Sequence, residues 1–415
     1  MYESLYLHIP FCKKRCYYCD FTTEALAQED PAMDEYLSFL ISEIRQAAKR
    51  KDLTQIRTIY LGGGTPTHLG LGRLVELAYL LSLNIKLEQV QEYTLEANPE
   101  SLTAAMVNDL FALGVNRLSL GVQSFVDSEL QMLGRIHDAA TAVRAVTDAR
   151  GRFDNLSLDL MCGIPGQTTS SWQYSLDKAL SLMPEHLSIY PLQIEEGTPL
   201  ADLEMPMWNL CSGVRPPNLL DSAQTRDRAP QNRGQTPITD LRQGTGLCPR
   251  PAPGSAFEVD EDLQAELMEL AATFLKAHGY HRYEVASYAK PGFESKHNTA
   301  YWSGIPYLGL GRGAASMVKL PDGTRERREF GQETEILSAK EASAEDLFLA
   351  MRMARGVNED QLSKASILLP QAYEVFEELI HLGLVEHTDN TFKPTTKGWL
   401  MGNELYARLW ELKDL

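Results

Sequence analysis

The chain has 415 residues, 44% of them hydrophobic, with 39 lysines and arginines against 56 aspartates and glutamates, for a formal net charge of −17. That length can bury one large core and a smaller one, and so acidic a surface repels phosphate backbones and argues against nucleic-acid binding. No apolar run reaches the ~18 residues that span a bilayer, and the start, MYESLYLHIPFC, lacks the regions of a secretory signal, so a cytoplasmic location is expected. Ser4–Ile9 alternates apolar and polar and predicts a strand, with a cysteine-bearing loop behind it. Helical spacing follows at Tyr36–Arg50, then a short strand at Thr58–Leu61 that runs into Gly62-Gly63-Gly64-Thr65-Pro66. Leu71–Leu83 reads as helix, Glu92–Leu95 as strand, and Leu102–Leu113 as helix. Arg117–Val122 is a strand, Asp138–Arg150 a helix, Leu156–Met161 a strand, Ser170–Met183 a helix and Leu187–Leu192 a strand.

Six strands alternating with helices predict a parallel sheet with right-handed crossovers. Six units are two short of a closed eightfold barrel, so the expected fold is α/β, an incomplete (β/α)6 TIM-like barrel with one open side. Polar or glycine-rich motifs sit after the C-terminal ends of the first four strands, where such sheets place their chemistry. Residues 206–254 then hold eight of the 21 prolines, five glycines, six arginines and no lysine, without apolar periodicity. This stretch is expected to be a disordered insertion. Leu263–His278 is an amphipathic helix and His281–Ser287 is strand-like. Tyr307–Gly313 is glycine-rich, and helix resumes from Ala344. Phe376–Leu384, a turn at His387–Asn390 and Lys393–Gly398 suggest a helix-plus-wing unit.

Cys12, Cys16 and Cys19 are spaced Cys-x3-Cys-x2-Cys on one loop. In a reducing compartment that reads as a metal site rather than a disulfide. A self-contained 4Fe–4S site has four thiolates, so three leave one iron free for another ligand. Zinc is the other reading and would need a fourth ligand, for which His8 is the nearby candidate. Cys162, Cys211 and Cys248 are scattered and read as free thiols.

The cysteine spacing after a first strand, with Tyr18 just before the third cysteine, resembles the radical S-adenosylmethionine (SAM) superfamily. The resemblance implies that SAM chelates the open iron and is cleaved on reduction to methionine and a 5′-deoxyadenosyl radical. It also implies SAM contacts at Tyr6, Tyr18, Gly63, Gly64, Thr65, Glu96, Gln123, Arg135 and Asp159; for Arg135 and Asp159 an ordinary ion pair or cap is the alternative, and their match to the family pattern favours the site. The phrases HIPFC, GGGTP, GVQSF and GRIH are similar to the coproporphyrinogen III oxidase group within that superfamily, over about Tyr6–Leu200 and from about Asp260 onward.

Two features separate the branches of that group. Phe21 stands where the oxygen-independent oxidase has a fourth cysteine, and His297-Asn298-Thr299-Ala300-Tyr301-Trp302 fits the HNxxYW motif of a haem-chaperone branch. The resemblance thus implies haem at His297, Tyr301 and Trp302, a haem-acceptor protein, and a flavodoxin or ferredoxin as reductant. Imidazole can ligate iron, and Tyr and Trp offer flat apolar faces; a packed aromatic corner is the structural alternative, and His297 as iron ligand stays open. The other functional readings are the oxidase itself, decarboxylating two propionates, and a radical SAM enzyme with another substrate. Within YLGLGRGAAS, Ala315 stands where the family usually has histidine, and Arg312 also departs from the pattern. Four segments are expected: 1–205, the partial barrel; 206–256, the insertion; 257–340, the rest of the core with the haem motif; and 341–415, a mostly helical, winged-helix-like domain without a basic stripe.

Overall fold

A computed structural model describes residues 1–201 and 260–415; the Pro-rich insertion expected at 206–254, with Cys211 and Cys248, lies outside the described residues. The six expected strands are present: β1 (Ser4–Ile9), β2 (Thr58–Gly63), β3 (Glu92–Ala97), β4 (Arg117–Gln123), β5 (Leu156–Cys162) and β6 (His186–Pro191). Each pairs in parallel with the next. The crossovers carry α1 (Pro31–Lys49), α2 (Leu71–Asn84), α3 (Ala104–Ala112), α4 (Asp127–Met132), α5 (Ala139–Arg150) and α6 (Thr169–Ser181). Helix α1 begins a turn and a half before the expected Tyr36. Asp30 caps it by accepting from Ala32 N, and Pro31 fills the first turn, where a missing N–H costs nothing.

After the insertion, α7 (Glu261–Ala277) packs back on the barrel. Trp172 is fully buried and its Nε1 donates to Leu267 O at 2.9 Å, which ties α6 to α7. The expected strand at His281–Ser287 resolves into two short ones, β7 (His281–Arg282) and β8 (Ser287–Ala289), paired antiparallel to each other, with β8 antiparallel to β6. Helix α8 (Lys296–Trp302) comes next. The glycine-rich stretch then supplies a seventh parallel strand, β9 (Tyr307–Leu310), on the other side of β1. Its glycine is needed for packing: a β-carbon on Gly309 would lie 2.2 Å from the Ala315 carbonyl oxygen. Three antiparallel strands extend the sheet: β10 (Ala315–Lys319), β11 (Arg325–Glu329) and β12 (Glu335–Leu337). The sheet runs β12-β11-β10-β9-β1-β2-β3-β4-β5-β6-β8-β7 and does not close. The barrel is therefore incomplete, as the strand count predicts.

Side chains alternate across each strand. Leu5, Leu7, Ile59, Leu61, Leu118, Leu120, Leu158 and Leu187 face the helices and form the main core, each at most 1% exposed. Burying such a side chain is worth roughly 1.5–3 kcal/mol. The opposite, inward face carries Tyr6, Tyr60, Glu96, Ser119 and Asp159, so the barrel interior is polar. A separate core runs from Ala344 to Leu412. It joins α9 (Ala339–Ala350), α10 (Glu359–Ala365), α11 (Ala372–His381), α12 (Thr396–Leu400) and α13 (Gly402–Glu411) to a small sheet of β13 (Val357–Asn358), β14 (Val385–Thr388) and β15 (Thr391–Pro394). Asp389 and Asn390, both at positive φ, turn the β14–β15 wing.

Candidate functional site

The cysteine loop leaves the C-terminal end of β1 and is pinned from several sides. Gly64 N donates to Ile9 O and Thr65 N to Phe11 O, both at 2.8 Å, so the GGGTP turn lies against the loop's start. A side chain on Gly63, at φ +111°, would put its β-carbon 2.5 Å from the His8 ring. His8 contacts Tyr6 OH through Nδ1 and Thr22 O through Nε2, both at 3.0 Å, so both ring nitrogens are taken and it is not poised as a fourth metal ligand.

Each of the three sulfurs has its own polar partner. Thr65 Oγ1 donates to Cys12 Sγ at 3.4 Å, Arg135 Nη1 donates to Cys16 Sγ at 3.5 Å, and Thr23 Oγ1 lies 4.0 Å from Cys19 Sγ. Asn98, which the sequence reading did not single out, links the first two: its Nδ2 donates to Thr65 Oγ1 at 2.8 Å and its Oδ1 accepts from Arg135 Nη2 at 2.7 Å. Arg135 also donates to Gly121 O at 2.6 Å. Desolvation opposes its charge, but Tyr18, Cys16 and Glu100 beside it outweigh that and hold its pKa above the ordinary arginine value. Burial pushes the Cys12 thiol up to about 11 and the Cys19 thiol upward, so iron entering the loop must displace protons. Among the described residues no three His, Cys, Asp or Glu side chains already converge as a ligand set. The donor chemistry nonetheless fits an iron–sulfur cluster: three thiols on one loop, with hydrogen-bond donors and one cation aimed at the sulfurs.

The remaining expected SAM contacts fall on the inward face beside this loop. Glu96 Oε1 accepts from Tyr60 OH at 2.6 Å and Oε2 accepts from Gly63 N at 3.1 Å. Burial raises its pKa to about 7, with the Tyr60 hydrogen bond opposing. Gln123 ends β4 at φ +68°, where the pairing with β5 slips by one residue. Such a bulge re-aims a side chain beside a site. Asp159 lies deeper, accepting from Ser119 Oγ at 3.3 Å, with its pKa raised by burial. Tyr18 stands beside Arg135 and the cysteines, its pKa raised by burial and lowered by Arg135. Tyr6, Tyr18, Gly63, Gly64, Thr65, Glu96, Gln123 and Arg135 are thus gathered at one end of the barrel, and Asp159 lines its wall.

The HNxxYW helix sits at the other end of the strands. Glu92, at the start of β3, holds the first turn of α8: its carboxylate accepts from Ser295 Oγ at 3.2 Å, Lys296 N at 2.8 Å and His297 N at 3.0 Å. A carboxylate at a helix N-terminus meets unpaired N–H groups and the positive end of the dipole. His297 is 7% exposed. Its Nδ1 contacts Thr58 Oγ1 at 3.0 Å, its ring centroid is 5.0 Å from that of Tyr60, and burial lowers its pKa to about 4. Tyr301 and Trp302 point elsewhere. The Tyr301 ring stacks on Tyr307 at 4.3 Å, and Trp302 Nε1 donates to Glu284 Oε2 at 3.1 Å.

These two aromatics line a cavity of about 430 Å³ that the sequence did not reveal. Tyr301, Trp302 and Tyr307 form one wall. The β10–β12 hairpins supply Met317, Arg325 and Arg327, α9 adds Phe348, and the turn after α9 adds Arg352. Ala315, at the departed family position, lines the same cavity; His297 does not. Arg312 pairs with Glu24 at 2.8 Å on the cysteine-loop side.

The cluster loop at the mouth of an open α/β barrel defines the class. A profile of the radical SAM superfamily matches residues 6–179. A solved structure, coproporphyrinogen III oxidase (HemN) from Escherichia coli, shares the fold with a TM-score of 0.69 at 20% identity, over 98% of this chain and 90% of that one. Among curated relatives, "Heme chaperone HemW" of Bacillus subtilis is 31% identical over 98% of both chains. The protein of the same name from Lactococcus lactis is 30% identical over 98% of this chain and 97% of its own, and that from Escherichia coli is 33% identical over 83% and 79%. The chain belongs to the HemW family of radical SAM proteins. Membership implies a 4Fe–4S cluster and SAM. No helix among the described residues is long and apolar enough to cross a membrane.

Proposed function

We propose that this chain is a cytoplasmic haem chaperone that carries a SAM-ligated 4Fe–4S cluster, binds haem and passes it to an acceptor protein. The observation that carries the reading is the cavity walled by Tyr301 and Trp302 of the HNxxYW motif, in a chain whose full-length relatives carry the name heme chaperone. A flat apolar macrocycle would stack on one of these rings and meet the other edge-on, since their planes stand 85° apart. His297, held by Thr58 behind them, would set the pose of α8. Cys12, Cys16 and Cys19 would hold the cluster, which with SAM supplies one-electron chemistry when reduced. Thr65 and Arg135 would orient the sulfurs through the Asn98 link. Glu96, Gly63, Gly64, Gln123, Tyr6, Tyr18 and Asp159 would line the SAM side of the barrel. The reductant would be a small electron carrier of the flavodoxin or ferredoxin kind. Residues 1–205 and 257–340 would act as one catalytic-type core and 341–415 as an appended winged-helix-like unit.

The second reading is decarboxylation of coproporphyrinogen III, favoured by the shared fold. Reconstituted protein with SAM and a reductant, offered haem and coproporphyrinogen III separately, tests the two. The chaperone reading expects one haem retained per chain through gel filtration and no loss of propionate carboxyls. Decarboxylation without haem retention would establish the oxidase reading instead.

A further inference from the structure

Three elements enclose the cavity, and their charges are not equivalent. The inward faces of β10 and β11 place Met317, Arg325 and Arg327 together, in the register Met317↔Arg327. Helix α9 turns Glu345, Phe348 and Leu349 toward them, at the i, i+3, i+4 spacing of one helix face, and Arg352 follows in the turn just past its end. Tyr301 and Trp302 close the third side. Arg325 is 1% exposed and pairs with Glu345 and with Asp346, the latter at 2.6 Å; Arg327 pairs with Glu345 and lies 3.5 Å from Glu335. Those two cations are neutralised within the protein.

Arg352 is different. Its guanidinium lies 4.6 Å from the centre of the Tyr406 ring, 5.0 Å from Trp302 and 5.9 Å from Phe348. Its Nε is buried without a hydrogen-bond partner, as is that of Arg325, but unlike Arg325 it pairs with no carboxylate among the described residues. Aromatic faces steady a cation, but they leave its in-plane donors unmet. A planar fork of donors held beside an aromatic wall suits a carboxylate on a flat apolar body.

We infer that Arg352 binds a propionate of haem, with the macrocycle held in the cavity that Tyr301, Trp302 and Tyr307 line. This rests on the haem reading above and adds to it which edge of the ligand is recognised and by which residue. His297 lies outside this contact, behind the wall.

The test compares haem with haem dimethyl ester, in which both carboxylates are masked, on the wild-type chain and on Arg352→Gln. Wild type is expected to bind haem at least about tenfold more tightly than the diester, the scale of one charge-assisted contact. Arg352→Gln is expected to lose most of that preference while binding the diester as wild type does. Arg352→Lys, which keeps the charge without the fork, is expected to fall between them. Equal wild-type affinity for the two ligands, or an undiminished preference in Arg352→Gln, would overturn the assignment and leave the haem reading standing. Failure of wild type to bind either ligand saturably would overturn the haem reading and this inference with it. The wild-type comparison involves no variant, so it stands even if Arg352→Gln folds poorly.

Discussion

At the scale of single residues, the cluster end works through unlike groups that share hydrogen bonds. Thr65, Asn98 and Arg135 form one chain from Cys12 Sγ to Cys16 Sγ. Thr65 and Arg135 were legible because each sits in a motif whose form marks it. Asn98 was not, since a lone asparagine after a strand has no pattern and its role exists only once β3 lies between β2 and β4. Glu96 gives a prediction about pH. Its folded pKa, about 7, lies above the ordinary 4.5, so the folded state holds this proton more tightly than the unfolded chain does. The stability from Glu96 is therefore fully present below about pH 4.5 and is lost as pH rises through about 7. In cluster-free protein, Glu96→Gln should flatten that decline and narrow the stability gap between pH 5 and pH 8 by up to about 3 kcal/mol. Urea melts of both chains at the two pH values check this; identical pH slopes would contradict it.

At the scale of elements, the alternating strands and helices of the first half were readable because each strand buries one apolar face and each crossover helix keeps an amphipathic stripe. Strand β9 was hidden by Gly309 and Gly311, which remove the side chains that alternation depends on. The β10–β12 hairpins were hidden by charge: the run Arg325–Glu329 reads as surface, yet Arg325 is buried by its pairing with Glu345 on α9, a contact that no local pattern encodes. The cavity they frame was illegible for the same reason. Helix α8 is set by tertiary contact as well. It has seven residues, too few to be stable alone, and Glu92 from a different element caps it. Glu92→Gln should lower stability by about 1–2 kcal/mol and weaken haem binding, with the iron and sulfide content of the reconstituted protein unchanged. Thermal melts with iron and sulfide assays check this; lost cluster loading would show that α8 also supports the cysteine loop.

At the scale of the whole molecule, the fold separates two tasks. Loops after the C-terminal ends of the strands gather the thiols and the groups around them. The β10–β12 hairpins and α9 add the wall that an open barrel lacks. Helix α8 joins the two regions: Tyr301 and Trp302 line the cavity, and His297 in the same helix lies 5.0 Å from the Tyr60 ring on the inward face of the barrel. The measurement that tests this account most directly is an anaerobic haem titration of the reconstituted chain, followed at the Soret band, beside Cys12→Ala. Saturable one-to-one binding in both proteins is predicted, with iron–sulfur absorbance lost only in the variant. A Soret signal that rises without saturation in the wild-type chain would contradict it.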